Sequence, residues 1–183
     1  MPILIKGAPD VEKMRASGSL VAQVHAAIQA AIVPGVQTIE LDRIAREILD
    51  EAGAQPSFLG YHGYPAAICV SVNEEIVHGI PGDRELIEGD IASVDIGAYL
   101  DGFHGDAAAT YRVGTVTSEA DGLVEGTERA FWAGFEVALA GNRVGDISAA
   151  IQASAESDGY GIVRFYGGHG IGRKMHEDPS VLN

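Results

Sequence analysis

Two strand-like runs, 90–99 and 103–113, are separated only by Leu100-Asp101-Gly102. Asp-Gly between such runs is a strong hairpin signal, because a tight turn there needs residues that tolerate positive φ. A chain carrying this hairpin must build an antiparallel sheet around it. The loop also decides where Asp95 and Asp106 go. A Leu100-Asp101 loop puts them directly opposite one another. An Asp101-Gly102 loop pairs Asp106 with Gly97 and Asp95 with Ala108, leaving the aspartates as diagonal neighbours on one face. Only a three-residue loop without a bulge would send them to opposite faces. Like charges this close in a sheet are destabilising, and Ser93, Gly97, Ala107, Ala108 and Ala109 bring no positive charge. A divalent cation would resolve the conflict, and small neighbours leave room for one or two. The plainer alternative has one aspartate in water and the other capping a turn.

The hairpin sits inside a repeated order of elements. Ala8-Pro9-Asp10-Val11-Glu12 opens a helix whose Leu20, Val21, Val24, Ala27, Ile28 and Ala31 share one face, and Pro34-Gly35 stops it. A second helix follows Thr38, read as its N-cap, with Leu41, Ile44, Ala45, Ile48 and Leu49 as its stripe and Ala52-Gly53 as its end. Residues 66–72 then read as a strand. From Ser118 the pattern restarts. A helix is expected over 118–140, with Leu123, Thr127, Ala130, Phe131, Phe135 and Leu139 on one side. A shorter helix over 146–157 is capped by Asp146, and 161–165 is the next strand. The reading is one α+β domain, 1–183, of two related helix-helix-strand halves. The first, 1–115, is complete; the second, 116–183, stops after its first strand and loop.

Composition narrows the functional classes. Twenty-six acidic residues against 12 Lys and Arg give a net charge of −14, which disfavours nucleic acid and anionic membranes as partners. No window approaches the ~20 apolar residues of a membrane helix. No signal peptide is evident, and the single cysteine, Cys69, suits a reducing compartment, so the expected location is cytoplasmic. Many of the 24 glycines cluster at 60–63, 79–82, 102–105 and 167–172, where they favour tight turns and close backbone approach.

Two more segments carry chemistry. In Tyr166-Gly167-Gly168-His169-Gly170-Ile171-Gly172-Arg173-Lys174-Met175-His176-Glu177-Asp178-Pro179 the histidines are seven apart. That spacing fits neither a helical zinc motif nor a dinucleotide fingerprint. Asn73-Glu74-Glu75-Ile76-Val77-His78-Gly79-Ile80-Pro81 puts His78 at the end of an apolar stretch, where it could move a proton or simply face solvent. His104 shares a strand face with Asp106 and is a candidate extra ligand. His25 and His62 receive no role.

Together with Gly60-Tyr61-His62-Gly63-Tyr64-Pro65, these segments resemble the type I methionine aminopeptidases of the pita-bread (creatinase/aminopeptidase-like) fold, over essentially the whole chain. The resemblance implies a curved antiparallel sheet flanked by the two halves. It also implies removal of the initiator methionine from nascent polypeptides whose second residue is small. Asp95, Asp106 and His169 would be metal ligands, with Asp106 bridging two divalent ions of manganese, iron, cobalt or zinc. His78 would hydrogen-bond the scissile amide or leaving nitrogen, and His176 would steady the carbonyl oxygen. Phe58, Tyr61, Tyr64 and Cys69 would line the methionine pocket, with Phe58 standing where relatives often carry a smaller residue. The implied partners are nascent N-termini, with the ribosome surface through function alone, and the implied state is a monomer. The family's two further glutamate ligands, one in a Thr-Ile-Glu-Pro run, find no counterpart before Asn183, so a truncated second half with three ligands of five is expected. Two other readings follow: a catalytically incomplete pita-bread domain serving as a peptide- or protein-binding module, and an X-Pro-directed aminopeptidase or dipeptidase of the same fold.

Overall fold

A computed structural model describes residues 2–183 as two compact units. One comprises Ile5–Val116 with Ile171–Met175; the other comprises 2–4, Thr117–Gly170 and His176–Asn183.

The first unit contains α1 (Ala8–Ala31), α2 (Thr38–Glu51), β1 (Gln55–Pro56), β2 (Ile68–Val72), β3 (Ile91–Leu100) and β4 (Phe103–Arg112). Pro9 falls in the first turn of α1, where a missing N–H costs nothing. The N-cap of α2 is Gln37 rather than Thr38. The Thr38 hydroxyl is engaged elsewhere, donating to the Gly82 carbonyl (3.0 Å) and accepting from the Gly82 N–H (2.9 Å).

β3 is central. β4 pairs along its whole length on one edge, while β2 and the short β1 share the other, all antiparallel. Asp101 (φ 52°) and Gly102 (φ 86°) form the turn, so Gly97 faces Asp106 and Asp95 faces Ala108. Of the two tight registers, the structure adopts the diagonal one, because only Asp-Gly supplies two adjacent residues that accept positive φ. Strand alternation then separates two surfaces. Ala92, Val94, Ile96 and Ala98 join Ile68, Val70 and Val72 in packing against Val21, Val24, Ile28, Leu41 and Leu49 of the helices. Each large side chain buried there contributes roughly 1.5–3 kcal/mol. A Cβ on Gly105 would lie 2.7 Å from the backbone of Ser17, so α1 rests directly on β4, and the Ser17 hydroxyl donates to the Phe103 carbonyl at 3.0 Å. Cys69, Ser71, Asp95 and Asp106 are left on the opposite face.

The second unit contains α3 (Ser118–Glu136), α4 (Val144–Ser157), β5 (Gly167–Gly170) and β6 (Glu177–Leu182). Thr117 caps α3, its hydroxyl accepting from Ala120 N–H. The helix ends before residue 140 because the Asn142 side chain takes the Val137 carbonyl at 2.8 Å. Of the expected face only Ala130 is buried. Val124, Gly126, Ala130 and Gly134 are buried, whereas Leu123, Phe131, Phe135 and Leu139 are exposed. A Cβ on Gly134 would sit 2.6 Å from Ile151 of α4, so small residues mark the side that the neighbour approaches. Asp146 lies inside the first turn of α4 instead of capping it, and its carboxylate accepts from the Arg143 N–H at 2.7 Å. Residues 161–165 form no strand; the ladder starts at Gly167, where β6 supplies a partner.

Candidate active site

The diagonal register brings the Asp95 and Asp106 side chains into hydrogen-bonding contact. Burial pushes the Asp106 carboxyl up to about 6, and the bond to Asp95 pulls it partly back. A hydrogen bond between two carboxyls requires a shared proton, and a divalent cation replaces that proton with a larger positive charge. This donor pair therefore fits a metal. Gly97, opposite Asp106, is bare for a reason: a Cβ there would lie 2.7 Å from Ser57 and 2.8 Å from the Phe58 ring. Phe58, itself buried, thus covers the sheet beside the carboxylates.

Cys69 pairs with Asp95 across the strands and is hydrogen-bonded to Tyr64. Burial pushes its thiol up to about 11, with the charges of Asp95 and Asp106 adding to the effect. Burial raises the Tyr64 phenol as well, aided by Cys69, Asp42 and Asp95. Phe58, Tyr64 and Cys69 therefore form one wall around the aspartates. Tyr61 lies on an exposed single turn of 3-10 helix, Tyr61–Gly63, with its ring 4.4 Å from His62. Asp42 of α2 braces the wall, because its buried carboxylate accepts from the backbone N–H groups of Ala67 (2.6 Å) and Ile68 (3.2 Å).

His78 occupies the exposed end of a loop that folds back on β2, with φ at 61°. Asn73 anchors the loop's start, donating to the Asp90 carboxylate at 2.8 Å and accepting from the Ile91 N–H at 3.0 Å. His104 shares a hydrogen bond with Ser57 through Nδ1 (2.8 Å) and stands 4.6 Å from the Tyr99 ring. Ser57 escaped sequence reasoning because it follows a strand, Gln55–Pro56, too short to carry a readable period. Tyr99 could have been found, four residues along the same strand face from Asp95. His25 lies between α1 and β4, its Nδ1 2.8 Å from the Tyr111 hydroxyl and its Nε2 2.9 Å from the Ala107 carbonyl.

In the other unit, β5 and β6 bring His169 and His176 together, ring centroids 4.0 Å apart, although the sequence separates them by seven. His169 Nδ1 is 3.0 Å from the Gly170 carbonyl. A carbonyl only accepts, so Nδ1 is the donor in this bond, and Nε2 is the nitrogen that would ligate a metal. Among the described residues, no three His, Cys, Asp or Glu side chains gather into a group that could hold an ion.

Residues 12–183 match the model of metallopeptidase family M24. The chain belongs to metallopeptidase family M24. Within it, this M24 chain is 50% identical over 182 residues to the methionine aminopeptidase of Clostridium acetobutylicum, covering 99% of itself and 73% of that protein. It is 47% identical over 179 residues to methionine aminopeptidase 1 of Bacillus subtilis, covering 98% and 72%. The solved methionine aminopeptidase of Rickettsia prowazekii superposes with a TM-score of 0.97 at 41% identity, over 100% of this chain and 73% of that one. The fold is therefore pita-bread, as the resemblance implied. Prolidase from Pyrococcus furiosus superposes at 0.87 but is only 21% identical, over 97% and 52%, and shares the fold alone. The X-Pro reading is not favoured. As a metallopeptidase, this M24 chain uses a divalent metal. Among the described residues no helix is long and apolar enough to cross a membrane.

Proposed function

We propose that this chain removes the N-terminal methionine from nascent polypeptides with a small second residue. The observation that carries the reading is the hydrogen-bonded Asp95–Asp106 pair, walled by Phe58, Tyr64 and Cys69. That pair is a cation-binding group beside an apolar, sulfur-compatible surface suited to a thioether side chain. Asp95 and Asp106 supply carboxylate ligands, and His169 supplies its Nε2. Two ions of manganese, iron, cobalt or zinc suit these donors. A bound divalent ion supplies a water acidified to near neutrality. Phe58, Tyr61, Tyr64 and Cys69 hold the methionine side chain and exclude water from it. His78 hydrogen-bonds the nitrogen of the scissile amide, and His176 donates toward the carbonyl oxygen as charge develops there. The substrates are free polypeptide N-termini, met in the cytoplasm as chains leave the ribosome, and the enzyme acts as a monomer.

The deciding assay is release of free methionine from a Met-Ala-Ser peptide by the purified chain, with manganese or cobalt added and chelator as control. Metal-dependent release is expected. No release from folded, metal-loaded protein would overturn the proposed activity.

A further inference from the structure

His78 carries a role in the proposed reaction yet stands on a loop in a left-handed backbone conformation, φ 61°. Such a conformation persists in a non-glycine residue only where the surroundings over-determine it. Those surroundings converge on the next residue. The Gly79 carbonyl accepts from the Val70 N–H (2.9 Å) and from the Tyr64 hydroxyl (2.9 Å), and the Gly79 N–H donates to the Ser71 hydroxyl oxygen (3.0 Å). A Cβ on Gly79 would lie 2.2 Å from the Val70 carbonyl oxygen, so the peptide is pressed directly onto the edge of β2. Ser71 is buried, two residues from Cys69 on the same strand face. Its hydroxyl is the side-chain acceptor that fixes the peptide joining His78 to Gly79. Tyr64, which also touches Cys69, holds the following peptide, Gly79–Ile80, by its carbonyl oxygen.

We infer that Ser71 is a positioning residue for His78, and that with Tyr64 it clamps Gly79 through the peptides on either side of it, so that the imidazole is held in one working orientation. The inference rests on the role proposed for His78. It adds that the orientation is set by β2 and the pocket wall, not by the loop itself. A strand-anchored mount makes geometric sense, because small misplacement of a group acting in the transition state costs rate more than binding.

The test is a double-mutant cycle with a spectroscopic arm. Ser71→Ala should lower kcat roughly tenfold to a hundredfold with little change in KM, and Ser71→Thr, which keeps the hydroxyl, should recover most of it. In a His78→Ala background, Ser71→Ala should cost nothing further. A rate loss that multiplies with that of His78→Ala, or a rise in KM alone, would overturn the clamp. By NMR of the metal-free chain, Ser71→Ala should lose hydrogen-exchange protection at the Gly79 amide and shift the His78 ring resonance. Tyr64→Phe, which removes a different tether, should shift the same resonance and serves where Ser71→Ala does not fold. Unmoved His78 signals in both variants would refute the clamp whatever the activity. Absence of methionine release by the unmutated chain would sink the proposed activity instead, with the NMR arm still deciding the clamp.

Discussion

Replacing Asp106 with Asn separates what the carboxylate pair does for the fold from what it does for metal. Burial raises the Asp106 carboxyl from 3.8 to about 6 in the folded chain. A folded-state value above the unfolded one means that the native protein holds this proton more tightly. The resulting stability is complete below pH ~4 and is lost as pH rises through ~6. The displacement of about two units corresponds to roughly 3 kcal/mol by pH 7, at 1.36 kcal/mol per unit. Asn has nearly the same shape and can donate its own N–H to Asp95, so Asp106→Asn removes the penalty without opening a cavity. Urea unfolding in chelator should find the two proteins matched near pH 4 and the variant more stable at pH 7 by up to about 3 kcal/mol. That difference would raise Tm by ~5–10 °C. Manganese should then stabilise only the unmutated chain, because the variant lacks one anionic ligand. If the variant is no more stable at pH 7, or if manganese stabilises both proteins equally, the account of this pair as a cation site is wrong.

Other perturbations follow from single contacts. Gly97→Ala puts a methyl about where Ser57 and Phe58 already stand; it should cost ~1–3 kcal/mol in urea unfolding and raise KM for methionyl peptides by displacing the Phe58 ring. On α3, Gly134→Val should destabilise by ~1–3 kcal/mol against Ile151, while Phe135→Ser on the exposed face should stay within about 0.5 kcal/mol. The opposite ranking would restore the face expected from hydrophobicity. Burial lowers the His25 pKa in the folded chain, so this residue's contribution is complete above pH ~6.5 and shrinks as pH falls. His25→Gln should therefore flatten the decline in stability between pH 7 and 5; an unchanged slope would exclude His25 as its source.

Much of this protein could be read before any coordinates. The shared face of Asp95 and Asp106 follows from strand period two and a two-residue turn, both local properties of the chain. The stripes of α1 and α2 were legible because large aliphatic residues recur at helical spacing and are buried together. Other features needed the assembled fold. Periodicity says that α3 is amphipathic but weighs residues by size, and α4 approaches it at Gly134, which a hydrophobic count ignores. Residues 161–165 have strand-like composition, yet a strand exists only where another backbone offers its N–H and C=O groups, and that partner reaches Gly167. Thr38 looks like a cap until Gly82, distant in sequence, takes its hydroxyl.

The site divides along the same line. Local chemistry nominated Asp95, Asp106, His78 and His169, because their residue types and turn-forming neighbours are visible in short windows, and the family resemblance added His176. Which of the two tight registers holds the aspartates, that a hairpin brings two histidines seven apart to 4.0 Å, and that Ser57 meets His104 are long-range facts. They depend on which backbone packs against which. A sequence window reports the preferences of its own residues; the partner that satisfies a hydrogen bond or closes a cavity comes from elsewhere in the chain and is chosen only when the whole core is buried at once.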